Sequence, residues 1–208
     1  KNIAGGITLW RLSGDTNYDV LKEKLGHTGL AHLAPEMPSC EQAIRRALHK
    51  MEGKHVLTRN LPGRSGWALV EEHIVNGELT YNVTQTVKLN RNERAVSLEF
   101  AQPEVASAYE IRRGFAEEML RLTSEDTAGW LVDMVRHVHA VPLRDTGGVY
   151  FVPRENLQTW RLLVGALHES SASYVSEIPA LRSSEAVGAV LDALTREASG
   201  HAEVMQAE

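Results

Sequence analysis

Asp145-Thr-Gly-Gly-Val-Tyr-Phe-Val-Pro-Arg-Glu-Asn-Leu-Gln-Thr-Trp-Arg-Leu-Leu-Val164 sets a turn, a short apolar strand, a proline and an amphipathic helix end to end. Gly147-Gly148 supplies a turn that tolerates positive φ, and Val149 to Val152 has the aromatic and β-branched content of a strand. Pro153 cannot donate to a sheet ladder, so it ends that strand and can start a helix. Beyond it, Leu157, Trp160, Leu163, Val164 and Leu167 fall on one helical face. The remaining chain is read outward from this hub.

Upstream, Ile7 to Leu12 alternates as a strand does, and Ser13-Gly14-Asp15 follows as a turn. A short helix over Asp19 to Leu25 is broken by Gly26 and Gly29. Ser39 and Gln42 form a capping box for a helix carrying Ala43, Ile44, Ala47, Leu48 and Met51, which Gly53 closes. The period then changes. His55 to Leu61, Trp67 to Val75, Leu79 to Leu89 and Ala95 to Phe100 favour strands, with Asn76-Gly77 as a strong hairpin signal. Leu79, Tyr81 and Val83 alternate with Thr80, Asn82 and Thr84, which predicts one buried face and one wet face. Asn90 to Glu93 is the expected last turn of a four-stranded antiparallel meander, which the first strand of the chain can join.

From Pro103 the pattern is helical, with an apolar stripe through Val105, Ala108, Tyr109, Ile111, Phe115, Met119 and Leu122. Thr123 to Asp126 offers caps for a helix through Trp130, Leu131, Met134, Val135 and Val138, which Pro142 ends. After the hub comes a Ser/Ala-rich connection from Ser170 to Ser176. A last helix opens near Ser183 and carries Val187, Val190, Leu191, Leu194 and Ala198 at near-heptad spacing. The fold expected is α+β: a meander flanked by helices over residues 1–102, then a mainly helical lobe over 103–208. The second lobe holds the hub strand 149–152, which either pairs with the meander or forms its own ribbon. The soft boundary lies near Gln102-Pro103, and the two lobes can share one core.

Composition narrows the function classes. A chain of 208 residues, 43% apolar and 24% charged, can bury a substantial core. Its net charge of −5 gives no bulk attraction to nucleic acid or anionic membrane, though a local basic patch is compatible with it. The single Cys40 excludes an intramolecular disulfide framework and any multi-cysteine zinc site, and it fits a reducing, cytoplasmic setting. No apolar run approaches the roughly 20 residues that cross a bilayer, so no membrane partner is expected. The chain begins at Lys1 rather than methionine, as a trimmed sequence would.

Candidate chemistry is sparse. His137 and His139 with Asp133 suggest metal ligands, but helical positions two apart point roughly 200° from each other. His168-Glu169, His55 and His73 belong to no nucleophile elbow or zinc-protease pattern. Cys40 near an N-cap has no assignable base. Gly63-Arg-Ser-Gly66 lacks the lysine of a phosphate loop, and Gly147-Gly148 precedes a strand, the wrong order for a dinucleotide fingerprint. No catalytic residue, metal or cofactor is therefore expected.

Two binding readings remain. Helix, helix and two-stranded turn over residues 125–165 resemble a winged helix with Arg144-Asp-Thr-Gly-Gly at its tip. Arg136, Arg144, Arg154 and Arg161 would line one side and Tyr150 or Phe151 would stack on bases. Tyr150 and Phe151 point to opposite faces of a strand, so at least one belongs to a core. The other reading uses the tail seam of Val187, Val190, Leu191, Leu194 and Ala198 for self-association or a partner helix.

With Gly147-Gly-Val-Tyr-Phe-Val-Pro153 and Leu9-Trp-Arg-Leu-Ser-Gly14, most of the chain resembles an uncharacterised family of proteins of unknown function carried by phages, plasmids and other mobile elements. The resemblance carries over no catalytic residue. It implies an intracellular, genome-mobile context, in which small proteins bind a nucleic-acid machine or block a host defence. The leading expectation is a non-enzymatic binding or assembly protein of a mobile element acting through protein contacts. The alternative is a nucleic-acid-binding accessory factor.

Overall fold

The computed structural model describes residues 3–92, 95–144, 147–185 and 187–195. It is an α+β protein whose chain divides into two units. One comprises residues 1–36 and 122–208, the other Met37–Arg121. The second unit is thus inserted into the first. The expected boundary near Gln102-Pro103 falls inside the insert, because the helix after Pro103 completes the core beneath the meander.

The first unit is built on β1 (Ile3–Arg11). β2 (Thr16–Asn17) leads into α1 (Tyr18–His27), where the Asn17 side chain accepts the Val20 N–H at 3.0 Å. In the insert, α2 (Cys40–His49) opens on the capping box foreseen at Ser39 and Gln42. Then come β3 (Val56–Asn60), β4 (Trp67–Val75), β5 (Glu78–Asn92), β6 (Ala95–Phe100) and α3 (Ala106–Met119). β7 (Arg121–Leu122) spans the return to the first unit. There follow α4 (Ser124–His137), β8 (Val141–Pro142), β9 (Val149–Pro153), α5 (Leu157–Ser170) and β10 (Tyr174–Leu181).

The hub has the predicted order. Val149–Pro153 is a strand, a 3-10 turn covers Arg154–Asn156, and the helix begins at Leu157. Its partners are not those expected. β9 pairs with β1 and with β8, in a four-stranded antiparallel sheet of order β10-β1-β9-β8, and the meander β3-β4-β5-β6 is a separate sheet. The first strand of the chain therefore joins the hub instead of the meander. β10 lies where the sequence indicated a connection, and Pro179 within it is tolerated because β10 is an edge.

One face of the β1 sheet carries the core of the first unit. Val152 and Val175 pack with Leu21, Leu25, Trp130, Leu131, Leu157, Trp160, Leu163 and Leu167. Trp10 stacks on Tyr150 at 5.3 Å and tilts against Trp160 at 6.5 Å. Glycines make this packing possible. A Cβ on Gly148 would stand 2.8 Å from the Trp10 ring, and one on Gly5 only 2.2 Å from the Val152 carbonyl oxygen. The two segments that carried the family resemblance are thus neighbours, with Leu9 paired to Val149 and Trp10 seated on Gly148. In the insert, Ile44 and Leu48 of α2 and Ala108 and Ile111 of α3 pack on Trp67, Leu69, Val87 and Phe100 of the meander.

Candidate interaction surfaces

The side chains picked out from the sequence separate into three groups. The first is consumed by structure. Tyr150 lies half-buried under Trp10 and is not free to stack on a base. Phe151 points to the other side of the sheet, over Gly5. Arg161 grips Glu177 through two bonds of 2.9 and 2.5 Å, and this carboxylate raises its pKa further. The winged-helix expectation meets the same obstacle, since the β8-β9 ribbon is built into the β1 sheet and does not stand free.

Histidines follow this pattern. His168 Nε2 accepts the Val175 N–H at 3.1 Å and its ring stacks on Tyr174 at 6.0 Å, tying the end of α5 to the start of β10. His137 is the last residue of α4, whereas His139 lies beyond the C-cap with φ of 51°. Asp133 pairs with Arg136 at 3.4 Å instead of with His137. No group of three or more His, Cys, Asp or Glu placed to hold a metal occurs among the described residues.

The second group is exposed and polar. Arg136, Arg144 and Arg154 all face solvent. Asn156 donates to the Val138 carbonyl at 2.9 Å, so the turn carrying Arg154 meets the end of the helix carrying Arg136. Arg144 sits in the β8-β9 connection, next to residues outside the described set.

The third group is apolar and exposed. The tail is helical at 184–185 and 187–195. Val187, Val190 and Leu191, with Ala189, line an apolar cavity of about 230 Å³ against Ala4, Ile7, Leu143, Phe151 and Ala180, on the sheet face opposite the main core. The helix is held from one side, where Ala193 is 2% exposed. Val187, Leu191 and Leu194 remain 49%, 57% and 42% exposed. Ala198 lies outside the described residues. Ile178 and Leu181 of the edge strand and Leu9 of β1 are further exposed apolar side chains in this unit.

A fourth surface comes from a reading that failed. Leu79, Tyr81 and Val83 alternate with polar neighbours as the sequence indicated, yet they are not buried. Their exposures are 54%, 54% and 60%, and that of Ile74 is 76%. They lie on the β4-β5 hairpin beyond the last residues covered by β3 and β6, which pair no further than Glu71 and Val87.

Within the insert, the most strongly organised charges surround Glu118. Its side chain is fully buried, yet receives Lys50 Nζ at 2.6 Å, Arg121 Nε at 3.0 Å and Arg121 Nη2 at 2.9 Å. Burial, the largest single influence, pushes its carboxyl up. Hydrogen bonds and charge from Arg121 and Lys50 together outweigh that and hold the pKa below the ordinary carboxylate value. This cluster fastens α3 to α2 and has the features of a structural clamp. A cleft of about 520 Å³ near it is lined by Lys50, Glu71, Glu110, Arg113 and Glu117.

These features define an α+β protein of two units with exposed apolar surfaces on each. The chain belongs to a family of unknown function, DUF6744, whose model matches residues 5–208. No curated protein and no solved structure matches it. No helix among the described residues is long and apolar enough to cross a membrane.

Proposed function

We propose that the protein is a non-enzymatic binding and assembly protein of a mobile genetic element, acting through protein contacts centred on its tail helix. The observation that carries this reading is the exposure that Val187, Leu191 and Leu194 keep, 49%, 57% and 42%, although Val187 and Leu191 also line the apolar cavity against the sheet. Their spacing of four and three residues matches a helix-pairing seam. The occupant that fits best is the same helix of a second copy, because like seams interdigitate.

Light scattering on the eluting full-length chain tests it. A dimer is expected, converted to monomer by V187S/L191S/L194S with unchanged circular dichroism. A monomer throughout the soluble concentration range would overturn the reading. The mobile-element context rests on the resemblance at Leu9–Gly14 and Gly147–Pro153, and sequencing the locus for neighbouring integration or replication genes tests it.

A nucleic-acid accessory role keeps support from Arg144 and Arg154, both exposed and without an ion pair among the described residues. Fluorescence anisotropy with single- and double-stranded oligonucleotides at two salt concentrations decides that alternative. Absence of salt-sensitive binding removes it.

A further inference from the structure

We infer that the projecting end of the β4-β5 hairpin is a docking arm for a protein or peptide surface that is apolar at its centre and basic at its rim. The inference is independent of the tail seam, which belongs to the other unit.

The arm begins where the meander stops being covered. Gln85 is buried, and its side chain takes the Gln102 N–H at 3.1 Å while donating to the Gln102 carbonyl at 2.6 Å. That pair leads the chain off the sheet after β6. One residue further out the ladder is irregular. Leu69 pairs with Gln85 and Val70 with Val83, leaving Thr84 as the extra residue of a bulge, its Oγ1 donating to the Leu69 carbonyl at 3.3 Å. Bulges re-aim a strand and sharpen its twist. Beyond this one the ribbon has only two strands, closed by Asn76 and Gly77 with φ of 54° and 84°.

Register sorts the side chains of the ribbon. Val70 with Val83, Glu72 with Tyr81 and Ile74 with Leu79 share one face, while Glu71 with Asn82, His73 with Thr80 and Val75 with Glu78 share the other. The first is an apolar stripe crossed by a single charge, the second is mainly polar. An isolated two-stranded ribbon is marginal in water, and this one presents its apolar face to solvent. The sequence alternates as though that face were buried, and this chain does not bury it.

Charge selects the occupant. From Trp67 to Val87 there is no Lys or Arg, and Glu71, Glu72 and Glu78 are all on the arm. His73 Nε2 approaches Glu71 at 3.4 Å, and Glu72 stands opposite Tyr81 within the stripe. A second copy would set its own carboxylates against these, which is unfavourable. A partner with Leu- or Val-type side chains flanked by Lys or Arg matches the stripe and the Glu72 carboxylate that crosses it, while Glu71 and Glu78 add negative charge from the reverse face of the narrow ribbon.

The test uses the full chain and two labelled synthetic helical peptides with the same leucine face, one bordered by lysine and the other by glutamate. Anisotropy is expected to report binding of the lysine-bordered peptide alone, weakening with salt. Ile74→Ser or Leu79→Ser should lower that affinity about 10- to 100-fold, the loss that removing one buried aliphatic anchor entails. Glu72→Lys with Glu78→Lys keeps the apolar area and should lower it comparably. Substitutions of the tail seam should leave it unchanged. Equal binding of both peptides, or indifference to the arm variants, would overturn the proposal. So would light scattering that found self-association abolished by Ile74→Ser, because the occupant would then be a second copy. Unchanged hydrogen-exchange protection of peptides from α2 and α3 in each variant verifies that the meander core stays folded.

Discussion

Replacing Glu118 by Gln tests whether the buried carboxylate clamps the inserted unit. The substitution conserves volume, so cavity formation does not enter. It removes one charge and turns one acceptor into an amide that faces the Arg121 guanidinium. Breaking a buried ion pair from one side costs about 3–5 kcal/mol when the orphaned partner stays buried. Here Lys50 is about half exposed and Arg121 about one-third exposed, so both can turn toward water, and the expected loss falls to about 2–3 kcal/mol. That is roughly a 30- to 150-fold rise in the opening equilibrium of the insert. Hydrogen exchange with mass spectrometry reads this locally, on peptides from α2 and α3, without assuming that both units unfold together. The pH dependence supplies the second arm. Because the folded carboxyl is depressed, its contribution is fully present above the unfolded carboxylate pKa and is lost as pH falls through the folded value. The gap between wild type and E118Q should therefore be constant near neutrality and close progressively in acid, below about pH 4.5. A gap of less than about 0.5 kcal/mol at pH 7, within the noise of surface substitutions, would refute the clamp. So would a gap that persisted undiminished at pH 3.

Other perturbations probe the hub and the arm. Gly5→Ala should cost about 3 kcal/mol or more, because the new Cβ meets a backbone oxygen of Val152 and the Phe151 ring; a thermal melt within a degree of wild type would contradict it. His168→Ala removes the acceptor of the Val175 N–H, so about 1–2 kcal/mol is expected, with faster exchange at that amide by NMR. Gly77→Ala has open space around it, and only its φ of 84° is unfavourable. It should cost about 1 kcal/mol and accelerate exchange in the β4-β5 ribbon alone, leaving α2 and α3 protected.

Local signals carried far in this chain. The Ser39 and Thr123 caps, the Asn76-Gly77 turn and the Val149-to-Leu157 succession depend on residues within one or two turns of each other, and each appears where its chemistry places it. What was not legible is non-local. β1 and β10 pair across almost the whole chain, and nothing in Ile3–Arg11 names Tyr174–Leu181 as its partner. Pro179 and the serines before β10 made that strand look like a connection. The inserted unit was hidden for a related reason: Pro35 and Pro38 mark a loop at its Met37 end, but its other end at Arg121 lies between two helical stretches with no proline or glycine to signal a boundary. Gly5-Gly6 was the overlooked clue. Two glycines inside a strand mark a close approach, and here Phe151 fills the space at one and Leu157 at the other.

The candidate surfaces divide along the same line. Arginines and aromatics chosen for their chemistry were only as free as their unseen neighbours allowed, and Glu177 and Trp10 claimed Arg161 and Tyr150. Apolar periodicity behaved differently, because it records that a face is covered without recording by what. For Leu157 and Trp160 the cover is the chain itself. For Val187, Leu191 and Leu194, and separately for Tyr81 and Val83, the pattern is equally regular and the described chain covers them only in part. Exposed apolar stripes are common sites of contact with other molecules, and both associations proposed for this chain start from one. The two stripes differ in what borders them, since no basic residue lies near the arm in sequence, whereas the tail seam continues into a segment with both signs of charge. That difference is why the tail is matched with its own copy and the arm with a basic stranger, and why loss of one association should leave the other intact.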